Sequence, residues 1–100
     1  MDYELKDNGG EIIVSLAGSL SFIDNESVRA IIGDVRGRQA KTVTFDLAGL
    51  EKLDSVGLGL LLIVKEEFES LGISLRLSDP RAAVKRLFEI ADMGRHFVIV

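Results

Sequence analysis

Hydrophobic and polar positions along the chain repeat with two different periods, and these periods divide the chain into strands and helices. Alternating apolar positions predict a short first strand through Tyr3 and Leu5 and a second strand over residues 11–17. The turn residues Asn8-Gly9-Gly10 between them indicate an antiparallel hairpin. Residues 18–22 are predicted to form a loop.

After this loop, the apolar residues recur with the spacing of a helix. Asp24 is a good N-cap residue and Gly37 a good terminator, so we expect the first helix between them. Ile23 and Val28 have the spacing of a hydrophobic staple, which would fix the entry of the chain into the helix. The apolar face repeats at i, i+3, i+4 and i+7 and comprises Val28, Ile31, Ile32 and Val35.

The middle of the chain predicts a buried strand followed by a second helix. The strand covers residues 42–47 and a turn covers 48–52, after which the helix runs to about Ser70. Gly72 is suited to end it. The first half of this helix is apolar on nearly all sides, which indicates either burial or a surface for a partner.

The last third predicts one strand, one helix and a final short strand. Apolar and polar residues alternate over 73–78, Asp79-Pro80 is a strong helix start, and Gly94 is suited to end that helix. Residues 97–100 are predicted to form the final strand, with His96 before it as a surface or strand-edge residue. The order ββαβαβαβ predicts an α/β fold with a mixed, mostly parallel sheet that opens with an antiparallel hairpin.

Composition narrows the possible functions. A chain of 100 residues that is 47% hydrophobic forms one domain over residues 1–100. It has no Cys and one His, which argues against thiolate chemistry, zinc and a His-based triad. The net charge is −4 without a Lys/Arg block, so we expect no nucleic-acid binding. The longest apolar run, 58–64, is too short to span a bilayer, and we expect a cytoplasmic protein without membrane insertion.

Motifs for catalysis are missing. The chain has no Walker A loop and no nucleophile elbow, and Gly57-Leu58-Gly59 is only half of a dinucleotide-binding motif. Asp46 and Asp54 could pair for acid–base work or Mg²⁺ binding, although Asp46 is better explained by bonds to nearby backbone N–H groups. We therefore expect no cofactor, no metal and no enzymatic activity.

The stretch 53–59 is the strongest candidate site. Ser55 lies at or beside the N-cap of the second helix, where one interpretation is a capping serine. The other interpretation is a phosphorylation site, because a helix N-terminus favours anions and Gly57 and Gly59 leave its amides uncrowded. A phosphate would add about −1.5 to −2 charges and would face any partner docked on Val56 and Leu58.

The chain resembles a STAS domain of the bacterial anti-sigma factor antagonist type over nearly its whole length. The specific segment is Phe45-Asp46-Leu47-Ala48-Gly49-Leu50 followed by Leu53-Asp54-Ser55-Val56-Gly57-Leu58-Gly59. The weaker segments 14–20, 72–77 and 84–100 occur in the right order. The resemblance implies a mixed sheet with helices packed chiefly on one side.

The resemblance also implies a partner-switching function. In that family the unphosphorylated antagonist binds an anti-sigma factor, often a serine protein kinase, which uses ATP to phosphorylate the serine that corresponds to Ser55. A PP2C-type phosphatase reverses the reaction, and we expect a monomer or weak dimer. The residues expected to contact the partner are Ser21, Phe22, Asp24, Asp54, Val56, Gly57, Leu58 and Gly59.

Two positions differ from the family pattern. Val56 stands where many members have a second hydroxyl, which leaves Ser55 as the one candidate acceptor in the turn, and Ser21 stands where many have an acidic residue. The alternative function is a non-switched accessory subunit of a transporter or another regulatory ATPase complex. An enzymatic function is disfavoured by the missing motifs.

Overall fold

Five strands form one sheet in which spatial order follows chain order, β1-β2-β3-β4-β5. The computed structural model describes residues 1–100. The first pair is antiparallel and the other three pairs are parallel, which confirms the predicted mixed sheet. The elements are β1 (Asp2–Asn8), β2 (Glu11–Leu20), α1 (Asn25–Arg36), β3 (Thr42–Leu53), α2 (Ser55–Ser70), β4 (Ser74–Ser78), α3 (Ala82–Ile90) and β5 (Val98–Ile99).

The three helices cover one face of the sheet. Each crossover joins parallel neighbours and advances in the same direction, and right-handed crossovers then place every helix on the same side. Residues on that face of β2, β3 and β4 are buried, whereas Arg76 on the opposite face is exposed. Phe45 of β3 meets Phe68 of α2 edge to face at 6.3 Å between ring centroids, at the centre of the core.

The periodic apolar face predicted for the first helix is confirmed. The four residues of the α1 face are all buried. Leu58, Leu60 and Leu61 of α2 are also buried, so its apolar first half is explained mainly by the core. Gly72, at φ +73, ends α2 as predicted, and Ile73 donates its N–H to the carbonyl of Phe68 to close the helix end.

The hydrophobic staple at the start of α1 is not formed. Phe22–Asp24 form a single-turn 3₁₀ helix ahead of α1, and this turn leaves Ile23 85% exposed. Ile23 therefore cannot pack on Val28, which is buried.

Two strands are longer than predicted, and the predicted loop 18–22 and turn 48–52 are largely strand. β2 reaches Leu20 and β3 reaches Leu53, and the two strands pair along their whole length. Shifts in register mark β-bulges, and Gly18 adopts φ +90 within one of them. A Cβ on Gly49 would lie 2.8 Å from the carbonyl oxygen of Leu16, so glycine permits the close strand approach there. Glycine and polar residues that indicated turns instead mark bulges.

The third helix is shorter than predicted at both ends. It covers Ala82–Ile90, and Asp79 and Pro80 belong to the preceding loop. Asp79 has φ +52, a left-handed conformation, whereas an N-cap residue has extended backbone. Asp92, at φ +56, follows the helix, and Gly94 lies in a separate 3₁₀ turn.

The last strand is reduced to Val98–Ile99, which pairs with β4. Phe97 is buried before the strand begins, while His96 is exposed as predicted. No helix of the chain has the length and apolar character needed to cross a membrane.

Candidate functional site

The candidate site lies where the carboxyl ends of β2 and β3 meet the N-terminus of α2. Leu20 and Leu53, the last residues of the two strands, are paired in register. Asp54 follows directly and donates its N–H to the carbonyl of Leu20 at 3.5 Å. The bulged extensions of both strands therefore bring the 3₁₀ turn after β2 and the start of α2 to one edge of the sheet.

Asp54, and not Ser55, is the N-cap of α2. Its Oδ1 atom accepts a hydrogen bond from the backbone N–H of Gly57 at 2.7 Å. The interpretation of Ser55 as a capping serine is therefore wrong, and the position beside the cap is correct. The sequence alone does not distinguish the two, since Asp and Ser are both good N-cap residues and a backbone N–H lies three residues after either.

Ser55 is the first residue of α2 and is exposed. Its hydroxyl has no hydrogen-bond partner in the chain, because Asp54 already satisfies the N–H that a capping side chain would take. No histidine accompanies it as a general base either. His96 lines a depression with Lys65 and Glu69, and 10 to 14 residues of helix separate those two from Ser55, roughly 15–20 Å.

Gly57 allows α2 to approach the end of β2. A Cβ at this position would lie 2.4 Å from the carbonyl oxygen of Leu20 and 2.6 Å from Cδ1 of Leu53. A Cβ on Gly59 would meet nothing within 4 Å. The two glycines of the motif therefore differ, since only Gly57 is required by packing.

Three large apolar side chains are exposed at this edge, and we call them the edge patch: Phe22, Ile23 and Val56. Their exposed fractions are 71%, 85% and 45%. Ile63, two turns along α2 from Val56, is 49% exposed and extends the apolar surface along the helix. The sequence prediction missed Ile23 and Ile63, although the adjacent pair Phe22-Ile23 in a polar loop was a usable signal.

The predicted contact residues divide into accessible and inaccessible ones. Phe22, Asp54 and Val56 are exposed, and Ser21 and Gly59 are half-buried. The other three have side chains or Cα atoms inside the protein: Asp24, Gly57 and Leu58. This last group cannot offer direct side-chain contact, so its part in any docking surface is structural.

Asp24 is buried and held by two hydrogen bonds. Its Oδ1 accepts from the Met1 ammonium at 2.8 Å, and its Oδ2 accepts from the backbone N–H of Ser21 at 2.8 Å. Burial by itself raises the pKa of Asp24, but the hydrogen bond from the ammonium, the hydrogen bond from the Ser21 backbone N–H and the charge of the ammonium outweigh it. The net result is a pKa below the ordinary value of 3.8.

A depression of about 470 Å³ adjoins the site between the ends of β2 and β3 and the start of α3. Its walls include the apolar Leu20, Leu53 and Val84 and the charged Lys52 and Asp54. No group of three or more His, Cys, Asp or Glu side chains is placed to bind a metal ion.

Fold and site together define a small α/β domain with an exposed serine and exposed apolar side chains at one edge. The family model described as "STAS domain" matches residues 2–100, and the chain belongs to this family. A curated relative, the anti-sigma F factor antagonist of Paenibacillus polymyxa, is 26% identical over 94 residues, which are 93% of this chain and 80% of the relative.

Solved structures share the fold. The unphosphorylated anti-sigma factor antagonist SpoIIAA is similar with a TM-score of 0.79 and 23% identity, over 99% of this chain and 88% of that one. The murine anion transporter Slc26a9 contains a similar domain, with a TM-score of 0.73 and 22% identity over 84% of this chain and 14% of the transporter. The same fold thus occurs in a regulatory protein and within a transporter.

Proposed function

We propose that this protein is an anti-sigma factor antagonist of a partner-switching pathway and acts as a binding protein in the cytoplasm. When unphosphorylated it binds an anti-sigma factor that is also a serine protein kinase. The kinase uses ATP to phosphorylate Ser55, which releases the complex, and a PP2C-type phosphatase restores the binding form. The observation that carries this proposal is the exposed Ser55 hydroxyl, which has no partner in the chain.

The position of Ser55 suits a phosphate acceptor. Because Asp54 bonds the N–H of Gly57, the serine hydroxyl can be modified without loss of the helix cap. The free backbone amides and the dipole at the start of a 16-residue helix favour negative charge there. Phosphorylation is therefore compatible with the fold, and the switch needs no rearrangement of the domain.

The surroundings of Ser55 explain how a phosphate would release a partner. A partner that covers Val56 and the rest of the edge patch also covers Ser55, its neighbour in the chain. A phosphate would place a dianion beside the Asp54 carboxylate in that contact. Burying this charge without a counter-ion costs several kcal/mol, enough to abolish a moderate affinity.

The test uses an extract of the native cells, supplied with Mg-ATP, as the source of the kinase. We expect mass spectrometry to find phosphate on Ser55 in the wild-type protein and none in Ser55→Ala. Ser70→Ala is the matched control at the other end of α2, where the hydroxyl already bonds the carbonyl of Glu67. Ser55→Ala should hold its partner with ATP present, and Ser55→Asp should not bind. Unmodified wild-type Ser55 would refute the switch.

A second candidate is a non-switched accessory subunit of a transporter or another regulatory ATPase complex. The likeness to a domain within Slc26a9 favours it. The edge patch would then make a constitutive contact. Stable co-purification with a transporter ATPase that Ser55→Asp leaves unchanged would support this function over the switch.

A further inference from the structure

We propose that Asp24 is a positioning residue that acts from inside the protein: it holds the turn 21–24 so that Phe22 and Ile23 are presented at the edge patch. The inference rests on the proposed function, in which that patch is the docking surface. It differs from a direct contact, because the Asp24 carboxylate cannot reach a partner at 5% exposure.

The burial of Asp24 requires an explanation. Of the 26 buried residues in the chain, 24 form the hydrophobic core cluster, and Asp24 is the one buried charged residue. A carboxylate removed from water is costly unless it is paired and hydrogen-bonded. The hydrogen-bond partners of Asp24 therefore fix the position of its carboxylate. Loss of one partner should loosen the turn 21–24, which contains Asp24.

The partners of Asp24 close the turn on itself. The Ser21 N–H donates to Oδ2 of Asp24 at 2.8 Å, and the Asp24 N–H donates back to the Ser21 carbonyl at 3.0 Å. Residues 21 and 24 are therefore joined twice. The two residues between them, Phe22 and Ile23, are directed outward and bury little surface of their own.

A second bond ties the closed turn to the rest of the sheet. Oδ1 of Asp24 accepts from the Met1 amino group at 2.8 Å, just before β1. The lowered pKa of Asp24 agrees with a carboxylate that is stabilised in its charged form. Since Phe22 and Ile23 are largely exposed, the hydrogen bonds of the turn hold their orientation, and the Asp24 side chain accepts two of these bonds.

Loss of this restraint should weaken docking while Ser55 stays in place. A partner would have to order a mobile turn when it binds, and that ordering reduces affinity. Ser55 is held separately, by the Asp54 cap and by Gly57 against β2. The expected result is a higher KM for the protein as a kinase substrate with an unchanged kcat.

Two substitutions distinguish the contributions of the two hydrogen bonds that the Asp24 side chain accepts, one from the Ser21 N–H and one from the Met1 ammonium. Asp24→Asn keeps an oxygen to accept from the Ser21 N–H but loses the charge that pairs with the ammonium. Asp24→Ala loses both. Asp34→Asn is the matched control, because Asp34 is an exposed carboxylate on the following helix, in a surface pair with Arg38.

The first measurement needs no partner. Amide hydrogen exchange over residues 21–25 should become faster in the order wild type, Asp24→Asn, Asp24→Ala, by about tenfold for the last, and Asp34→Asn should match wild type. Unchanged exchange in Asp24→Ala would overturn the inference. If Asp24→Ala does not fold, the same comparison is made with Asp24→Asn.

The second measurement follows phosphorylation of Ser55 by native-cell extract with Mg-ATP as the substrate protein is titrated. We expect the KM of Asp24→Ala to rise about tenfold, with a smaller rise in Asp24→Asn and the same kcat in both. An unchanged KM would overturn the positioning function even if exchange had become faster. Wild-type Ser55 that stays unmodified would instead overturn the proposed function, so the two failures are distinguishable.

Discussion

Gly57→Ala and Gly59→Ala place the same methyl group at two points of the first two turns of α2, and we expect opposite effects on stability. In a helix, alanine is favoured over glycine by roughly 0.5–1 kcal/mol, because glycine loses more backbone freedom on folding. A Cβ at Gly59 meets nothing within 4 Å, so this gain should be realised there. A Cβ at Gly57 enters occupied space.

The cost at Gly57 follows from two distances. The new Cβ would lie 2.4 Å from the carbonyl oxygen of Leu20 and 2.6 Å from Cδ1 of Leu53. The leucine side chain can rotate away, but the carbonyl belongs to β2 where it pairs with β3. The start of α2 must therefore move by roughly 1 Å, which overpacking data place at about 1–3 kcal/mol. After the helix gain is subtracted, the free energy of unfolding should fall by about 0–2.5 kcal/mol.

The two variants are compared by urea unfolding, followed by far-ultraviolet circular dichroism. We expect the variants to differ by about 1–3 kcal/mol, with Gly59→Ala above wild type, at equal m-values. A difference of 1 kcal/mol corresponds to roughly 4–8 °C in Tm for a domain of this size. Equal stability of the two variants, or a Gly57→Ala protein more stable than Gly59→Ala, would refute the packing explanation.

Two other predictions concern the core and the buried carboxylate. Phe68→Ala should lower the free energy of unfolding by about 3–5 kcal/mol in the same urea assay, because Phe68 is fully buried against Phe45; a loss under 1 kcal/mol would contradict this packing. Asp24 has a pKa below 3.8 in the folded state. Its ionised carboxylate therefore stabilises the fold fully at pH values above the pKa of Asp24 in the unfolded chain, and this stabilisation is lost as pH falls through the folded-state pKa. The stability difference between wild type and Asp24→Asn should therefore shrink from about pH 6 to about pH 3, and a difference that grows would contradict the pairing.

Local periodicity accounts for the parts of the fold that were predicted correctly. The i, i+3, i+4, i+7 face of α1 is buried as expected, and the strand and helix order is correct. These features could be predicted because each depends only on which side of one helix or strand faces the core. The spacing of apolar residues close together in the chain indicates that side. The end of α2 at Gly72 is likewise local, since it requires only a left-handed residue.

Boundaries set by distant neighbours were predicted poorly. Residues 48–52 carry turn-forming glycine and charge, yet β2 pairs with them across the sheet and makes them strand. Asp79-Pro80 has the composition of a helix start, but the N–H of Asp79 donates to the carbonyl of Val100 and the helix begins later. In both cases a bond to a residue far along the chain outweighed a local preference.

The candidate site shows the same contrast between features that the local sequence indicates and features that only contacts in the structure decide. The motif around Ser55 indicated the acceptor from the sequence, and that assignment stays a prediction. The sequence could not decide whether Asp54 or Ser55 caps α2, because both residue types are good caps and they are adjacent. The bond from the Gly57 N–H to Asp54 decides it, and this bond leaves the serine hydroxyl free.

The sequence by itself determined the class of fold, the order of its elements and the segment that carries the candidate site. The tertiary structure decided which side chains of that segment are available. It buried Asp24 beneath the turn, exposed Ile23 and set Gly57 against the carbonyl of Leu20. The physical reason is that the Met1–Asp24 bond and the Gly57–Leu20 approach join residues about 20 to 40 positions apart, and such pairing has no periodic signature in the chain. The exposure of Ile23 follows from the 3₁₀ turn that Asp24 closes.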